Sequence, residues 1–231
     1  MTDPEPSAPV PAPLGVDGRT FTSALPWAVL DGLQAGTMKS VYRGVPCFKS
    51  PLDLALYLQL LSRQRPRTVI EIGTKFGGSA LWFADMLTAD RGPGVRVLSV
   101  DILMQASFRD DRITFMEGDA AKLGATLRPE LLAGLPKPWL VVEDSSHRFE
   151  DAAAVLDFFH PHLSAGDYIV VEDGILDQFE DPLYLRYANG PNRAVERFLK
   201  SHPGSYSVDT DLCDHFGRNA TWSPNGWLRK L

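Results

Sequence analysis

The chain has 231 residues, a length that suits one α/β domain and allows a sizeable buried core. A hydrophobic fraction of 44% and a charged fraction of 23% exclude wholesale disorder. With 23 Lys and Arg against 29 Asp and Glu, the formal charge is −6; an acidic chain without a basic run is a poor partner for nucleic acid.

No apolar stretch approaches the roughly 20 residues that a membrane-spanning helix needs. The N-terminus begins MTDPEP and lacks the basic and apolar regions of a secretory signal. Two cysteines, Cys47 and Cys213, are too few for a disulfide framework or a zinc-thiolate site. A cytoplasmic protein with reduced thiols is the expected setting.

In chain order, residues 1–19 read as a Pro-rich disordered tail, with Pro4, Pro6, Pro9, Pro11 and Pro13 leaving few backbone donors. Residues 20–66 read as a helical cap or lid. Within it, Ser50, Pro51 and Asp53 form a helix start, with Ser as N-cap, Pro in the first turn and an early acid. Leu54, Leu58 and Leu61 follow at helical spacing, and Pro66 ends the run.

Residues 67–231 then alternate in type. Strands are expected at 68–73 (TVIEIG), 96–101 (RVLSVD), 113–119 (ITFMEGD), 139–145 (WLVVEDS) and 168–174 (YIVVEDG). Helices are expected at 79–87, more weakly at 121–132, at 149–159 and after Asn189, with two last strands near 205–209 and 221–230. Continuous apolar strands alternating with helices imply a mostly parallel, doubly wound sheet covered on both faces.

Ligands of such sheets bind outside the carboxyl ends of the strands. Each of the first five strands here ends in acid: Glu71, Asp101, Asp119, Glu143 with Asp144, and Glu172 with Asp173. Some of these can be helix N-caps. Together, though, they repel one another and call for cations or hydrogen-bond donors.

The first turn runs Glu71, Ile72, Gly73, Thr74, Lys75, Phe76, Gly77, Gly78, Ser79. Its G-x-x-x-G-G-S spacing is not the dinucleotide fingerprint, which counts against an NAD-dependent dehydrogenase. S-adenosylmethionine fits better. Glu71 can take the ammonium, Gly73, Thr74 and Gly77 let backbone approach, and Ser79 with nearby amides can meet the carboxylate. Asp101 is placed for the ribose hydroxyls, Asp119 for the adenine amine, and Asp144 at the cofactor's edge.

A second group joins Asp144, Ser145, Ser146 and His147 to Glu172 and Asp173. Asp144, Glu172 and Asp173 make a hard oxygen site suited to Mg²⁺ or a similar divalent ion. His147 beside it suits a general base. His160 and His162 at a helix end are explained by the helix dipole, and His202 and His215 carry no pattern. Lys49 can reach an anionic group or lie in solvent. Tyr184, Tyr187 and Trp222 can wall a substrate.

Four segments resemble the cephalosporin hydroxylase-like and rhamnosyl O-methyltransferase-like proteins, class I S-adenosylmethionine-dependent enzymes. They are YRGVPCFKSPLDLALY, VIEIGTKFGGSALWF, DSSH with GDYIVVEDG, and FGRNATWSPNGWLRK, and they span most of the chain beyond residue 40. The resemblance implies a class I methyltransferase Rossmann-like fold with an antiparallel C-terminal strand. It also implies Mg²⁺ on Asp144, Glu172 and Asp173, a histidine base at His147, and association into homo-oligomers. The expected activity is metal-assisted O-methylation of a small molecule, a sugar or other hydroxyl of secondary metabolism such as antibiotic biosynthesis. Two rival readings are a carboxyl methyltransferase, which needs no base, and a non-catalytic cofactor-binding subunit of an oxygenase.

Overall fold

Alternate residues of a strand face opposite sides of its sheet, so a strand covered on both sides is apolar throughout. The computed structural model describes residues 15–179 and 181–231. A hairpin of β1 (Gly15–Val16) and β2 (Arg19–Thr20) precedes α1 (Trp27–Thr37), a second hairpin β3 (Val41–Tyr42) and β4 (Val45–Pro46), and α2 (Pro51–Gln64). Next come β5 (Thr68–Ile72), α3 (Gly78–Arg91), β6 (Arg96–Asp101) and β7 (Ile113–Glu117). They lead to α4 (Leu123–Thr126), α5 (Pro129–Ala133), β8 (Trp139–Glu143), α6 (Phe149–Phe159) and β9 (Tyr168–Val171). The chain closes with α7 (Pro182–Leu185), α8 (Gly190–Ser201), β10 (Tyr206–Val208), α9 (Thr210–Cys213) and β11 (Trp227–Lys230).

Seven strands form one sheet in the order β10-β11-β9-β8-β5-β6-β7. The pairings from β9 to β7 are all parallel, and β11 runs antiparallel to both β9 and β10. This is the expected doubly wound sheet with its antiparallel C-terminal strand. On one face Ile70, Ile72, Val100 and Val141 pack against Leu156 of α6 and Phe198 of α8. On the other, Val69, Val97 and Val142 meet Leu60 of α2 and Phe83 of α3. Each such side chain contributes about 1.5–3 kcal/mol on burial. Among the described residues, no helix is long and apolar enough to cross a membrane.

The differences from expectation are local and have physical causes. Residues 1–14 of the Pro-rich tail lie outside the described residues. The next five belong to an ordered hairpin, because Arg19 donates to Asp214 Oδ2 at 2.9 Å and to Asn225 Oδ1 at 2.9 Å. The helix expected over 121–132 is split into α4 and α5 at Pro129, which cannot continue a hydrogen-bonded turn. Ser50 precedes α2 but makes no capping bond. Asp53 does not serve the helix dipole in solvent. It is buried and accepts from Thr221 Oγ1 and Trp222 N, both at 2.9 Å, and from Ser223 Oγ at 3.2 Å. Those bonds fold residues 221–223 into turns, so the last strand begins only at Trp227. Burial pushes the Asp53 carboxyl up to about 6, against the pull of the same three donors.

Candidate active site

The strand order reverses between β5 and β8, and ligands of parallel sheets bind beyond the carboxyl ends at such a point. Here the backbone is packed without a side chain's worth of room. Gly73 has φ 111°, and a Cβ on it would lie 1.9 Å from the carbonyl oxygen of Asp144. Its N–H donates to Val100 O, and Asp144 N–H donates to Ile72 O, each at 2.8 Å. Gly73→Ala is expected to cost more than the about 1–2 kcal/mol of a positive φ alone, since the methyl also meets that carbonyl. Urea unfolding measures it, and an unchanged midpoint would contradict the packing.

Glu71 is fully buried beneath this turn, accepting from Ser99 Oγ at 2.6 Å, while its Oε1 has no partner. Thr74 Oγ1 shares a 2.7 Å hydrogen bond with Ser99. Gly77 has φ 84° and lies close under the rings of Phe108 and Phe115. Ser79 is buried in the first turn of α3. These four sit behind the wall of a cavity of about 500 Å³ that Gly73, Asp101, Asp119 and Asp144 line directly. Asp101 accepts from the N–H groups of Lys75 at 2.7 Å and Leu103 at 3.1 Å. Asp119 caps the turn at Ala120–Lys122, accepting from Ala121 N at 2.9 Å, so the N-cap reading holds there alongside its place on the wall.

Beyond β8 and β9 the acids divide. Among the described residues, Asp144, His147 and Asp173 bring one ligand atom each within 4.8 Å of one another. His147 Nε2 lies 3.4 Å from Asp173 Oδ2. Both residues hold left-handed backbone, φ 60° and 61°, a conformation that costs about 1–3 kcal/mol each and clusters at functional sites. The chain supports it by close packing. Gly190 at the start of α8 lies so near that a Cβ there would meet His147 O at 2.4 Å, and the Tyr187 ring stands edge-on to the imidazole at 5.0 Å. Burial pushes the Asp173 carboxyl up, and the nearby His147 opposes it.

Glu172, expected to join Asp144 and Asp173, is not brought to that cluster. Its Oε1 accepts from Tyr57 OH and its Oε2 from Lys49 Nζ, both at 2.5 Å. The acids near the strand ends separate by burial: Glu71, Glu143 and Glu172 are buried, whereas Asp101, Asp119, Asp144 and Asp173 line the cavity. Glu143 is likewise fully buried, bonded to Ser145, and pushed up to about 7 by burial. Lys49 is not in solvent. It also reaches Asp144 Oδ2 at 2.6 Å. Burial alone would lower its ammonium, but Asp144, Glu172 and Glu71 outweigh that and hold it well above 10.5.

The far side of the cavity is walled by Tyr184, Tyr187 and Trp222, as expected, together with Gln34 of α1. Gln34 joins two of them, accepting from Trp222 Nε1 at 2.8 Å and donating to Tyr184 OH at 3.0 Å. Gln34 and Gly190 were not marked by any motif, and Tyr57 lay in a quoted segment without a role, since each acts through partners more than 40 residues away.

The family described as Rhamnosyl O-methyltransferase/CmcI matches residues 35–231. The chain belongs to that family. It is thereby an S-adenosylmethionine-dependent O-methyltransferase, as its motifs lead one to expect. A rhamnosyl O-methyltransferase of Mycobacterium leprae (strain TN) is 34% identical over 194 residues, covering 82% of each chain. One of Mycobacterium tuberculosis (strain ATCC 25618 / H37Rv) is 32% identical over 195 residues, covering 82% of this chain and 78% of the relative. Among solved structures, a CmcI structure named for Mg and SAM has a TM-score of 0.62 at 26% identity, covering 84% of this chain and 77% of that one.

Proposed function

We propose that the chain transfers the methyl group of S-adenosylmethionine to a hydroxyl of a small, sugar-bearing acceptor, with Mg²⁺ assisting at the acidic rim. The observation that carries this reading is the meeting of Asp144, His147 and Asp173 on the cavity that also reaches Gly73, Asp101 and Asp119. The relatives named rhamnosyl O-methyltransferase favour a sugar acceptor, and the CmcI structure named for Mg and SAM favours the cofactor pair.

The residues fit both groups. Gly73 brings backbone to the cavity wall without a side chain, and Glu71 behind that wall keeps one buried carboxylate oxygen without a partner, suited to an ammonium. Asp101 and Asp119 offer acceptors for ribose hydroxyls and an adenine amine. Asp144 and Asp173 supply hard oxygen donors for a divalent ion, and Glu172, held by Lys49 and Tyr57, is the neighbouring third carboxylate. When bound, S-adenosylmethionine supplies the methyl on its sulfonium and Mg²⁺ polarises the acceptor hydroxyl.

His147 Nε2 takes the hydroxyl proton, and Asp173 beside it stabilises the imidazolium that results. With both reactants held on this cavity, the sulfonium would give its methyl to the acceptor oxygen, the carbon–sulfur bond breaking to leave S-adenosylhomocysteine. Tyr184, Tyr187 and Trp222, with Gln34, wall the acceptor side of the cavity and exclude water from it. Most of the rate comes from positioning the two reactants.

The test is transfer from methyl-labelled S-adenosylmethionine, with Mg²⁺, to rhamnosides carrying aliphatic or aromatic aglycones. Label in an alkali-stable ether is the expected product. Label released by mild alkali would mean a methyl ester and a carboxyl acceptor, and no transfer to any rhamnoside would refute the sugar assignment.

A further inference from the structure

One charged group at the site has no part in the chemistry above. Lys49 lies between β4 and α2, its side chain only 4% exposed. The segment that carries it is closed on itself and packed against the start of α3: Cys47 N–H donates to Ser40 O at 2.9 Å, and a Cβ on Gly78 would meet Pro46 O at 2.1 Å. Its Nζ thus stands between Asp144 Oδ2 at 2.6 Å and Glu172 Oε2 at 2.5 Å, while Tyr57 OH takes the other oxygen of Glu172. An ammonium so deeply placed persists only with such partners. Yet Asp144 is also a donor of the Asp144, His147, Asp173 cluster, and a divalent ion there would face a positive charge held on the same carboxylate.

We propose that Lys49 is a positioning residue, a resident cation that holds Asp144 and Glu172 in place in the metal-free protein and competes with the divalent ion for both. The inference rests on the metal-assisted reading. Entry of the ion displaces Nζ from Asp144 and frees Glu172 to complete an all-carboxylate set. Metal binding is thereby coupled to the N-terminal segment that carries Lys49. The competition explains how the expected trio and the observed pairing of Glu172 belong to one site.

The experiment is a calorimetric titration of Mg²⁺ into the wild type, Lys49→Met and Glu172→Gln, with wild-type lysine Nζ signals followed by ¹⁵N NMR. Lys49→Met is expected to bind Mg²⁺ at least about tenfold more tightly, and to melt lower than wild type without Mg²⁺ but recover with it. Glu172→Gln is expected to bind more weakly. In the wild type, a protected Nζ resonance, absent from Lys49→Arg, should shift or vanish as Mg²⁺ saturates. Wild-type or weaker affinity in folded Lys49→Met overturns the proposal. So does an Nζ signal unmoved while calorimetry records Mg²⁺ binding, a measurement that holds even if Lys49→Met fails to fold. Should the wild type bind no Mg²⁺ while Lys49→Met does, competition by Lys49 is upheld; should neither bind, the metal-assisted reading falls together with it.

Discussion

His147→Ala lowers kcat by about 10²- to 10⁴-fold, the range of a lost general base, while the affinity for S-adenosylmethionine stays at its wild-type value. The two parameters separate because His147 belongs to the loop after β8, and Gly73 of the turn after β5 is held by its own hydrogen bond to Val100 O of β6. Nor does the substitution disturb the loop's other anchors. Ser146 Oγ donates to Asp151, and Arg148 N–H donates to Ser146 Oγ at 3.2 Å. Steady-state kinetics with a calorimetric cofactor titration on the same sample checks both halves. Near-full activity would sink the base assignment and favour a carboxyl acceptor, which arrives already deprotonated.

Asp144→Asn produces the second large effect, a fall in Mg²⁺ affinity of about 10²-fold or more, since a hard divalent ion loses an anionic ligand. The same carboxylate is one of two partners of Lys49 Nζ, so stability also falls, by about 1.5–3 kcal/mol for a lost charged hydrogen bond. The backbone of residue 144, which closes over Gly73, is untouched, and cofactor affinity should change less than metal affinity. Mg²⁺ titration and urea unfolding of the variant measure the two effects. Unchanged Mg²⁺ affinity would remove Asp144 from the metal site.

The sheet was readable because four of its five parallel strands, β5, β6, β8 and β9, are almost continuously buried and largely apolar, while the edge strand β7 carries a weaker version of the pattern. Their ends were less so. Acids and glycines just after β7, β8 and β9 extend the apparent strands by two or three residues, although they form turns beside the cavity. Residues 221–226 were counted with the last strand although Ser223, Pro224, Asn225 and Gly226 favour a turn, and Asp53, 168 positions earlier, ties Thr221 there as well. Such a tie leaves no periodic trace. The same limit governs the site. The rule that ligands gather at strand ends located the rim, with Asp101, Asp119, Asp144 and Asp173 upon it. It could not tell which carboxylate of an adjacent pair reaches the cavity, because Asp144, Glu172 and Asp173 lie past the strand ends, where the turns and not the strand alternation aim them. Glu172 was therefore grouped with Asp173, although it faces Lys49, whose partners lie 95 and 123 residues away.

The central claim is that the acids on this rim serve a cationic cofactor and a divalent ion at once. Calorimetric titration of the wild-type chain, first with S-adenosylmethionine and then with Mg²⁺, tests it most directly. The account predicts saturable binding of both, one equivalent each. Absence of heat and of saturation for either ligand, in a folded sample, would contradict it.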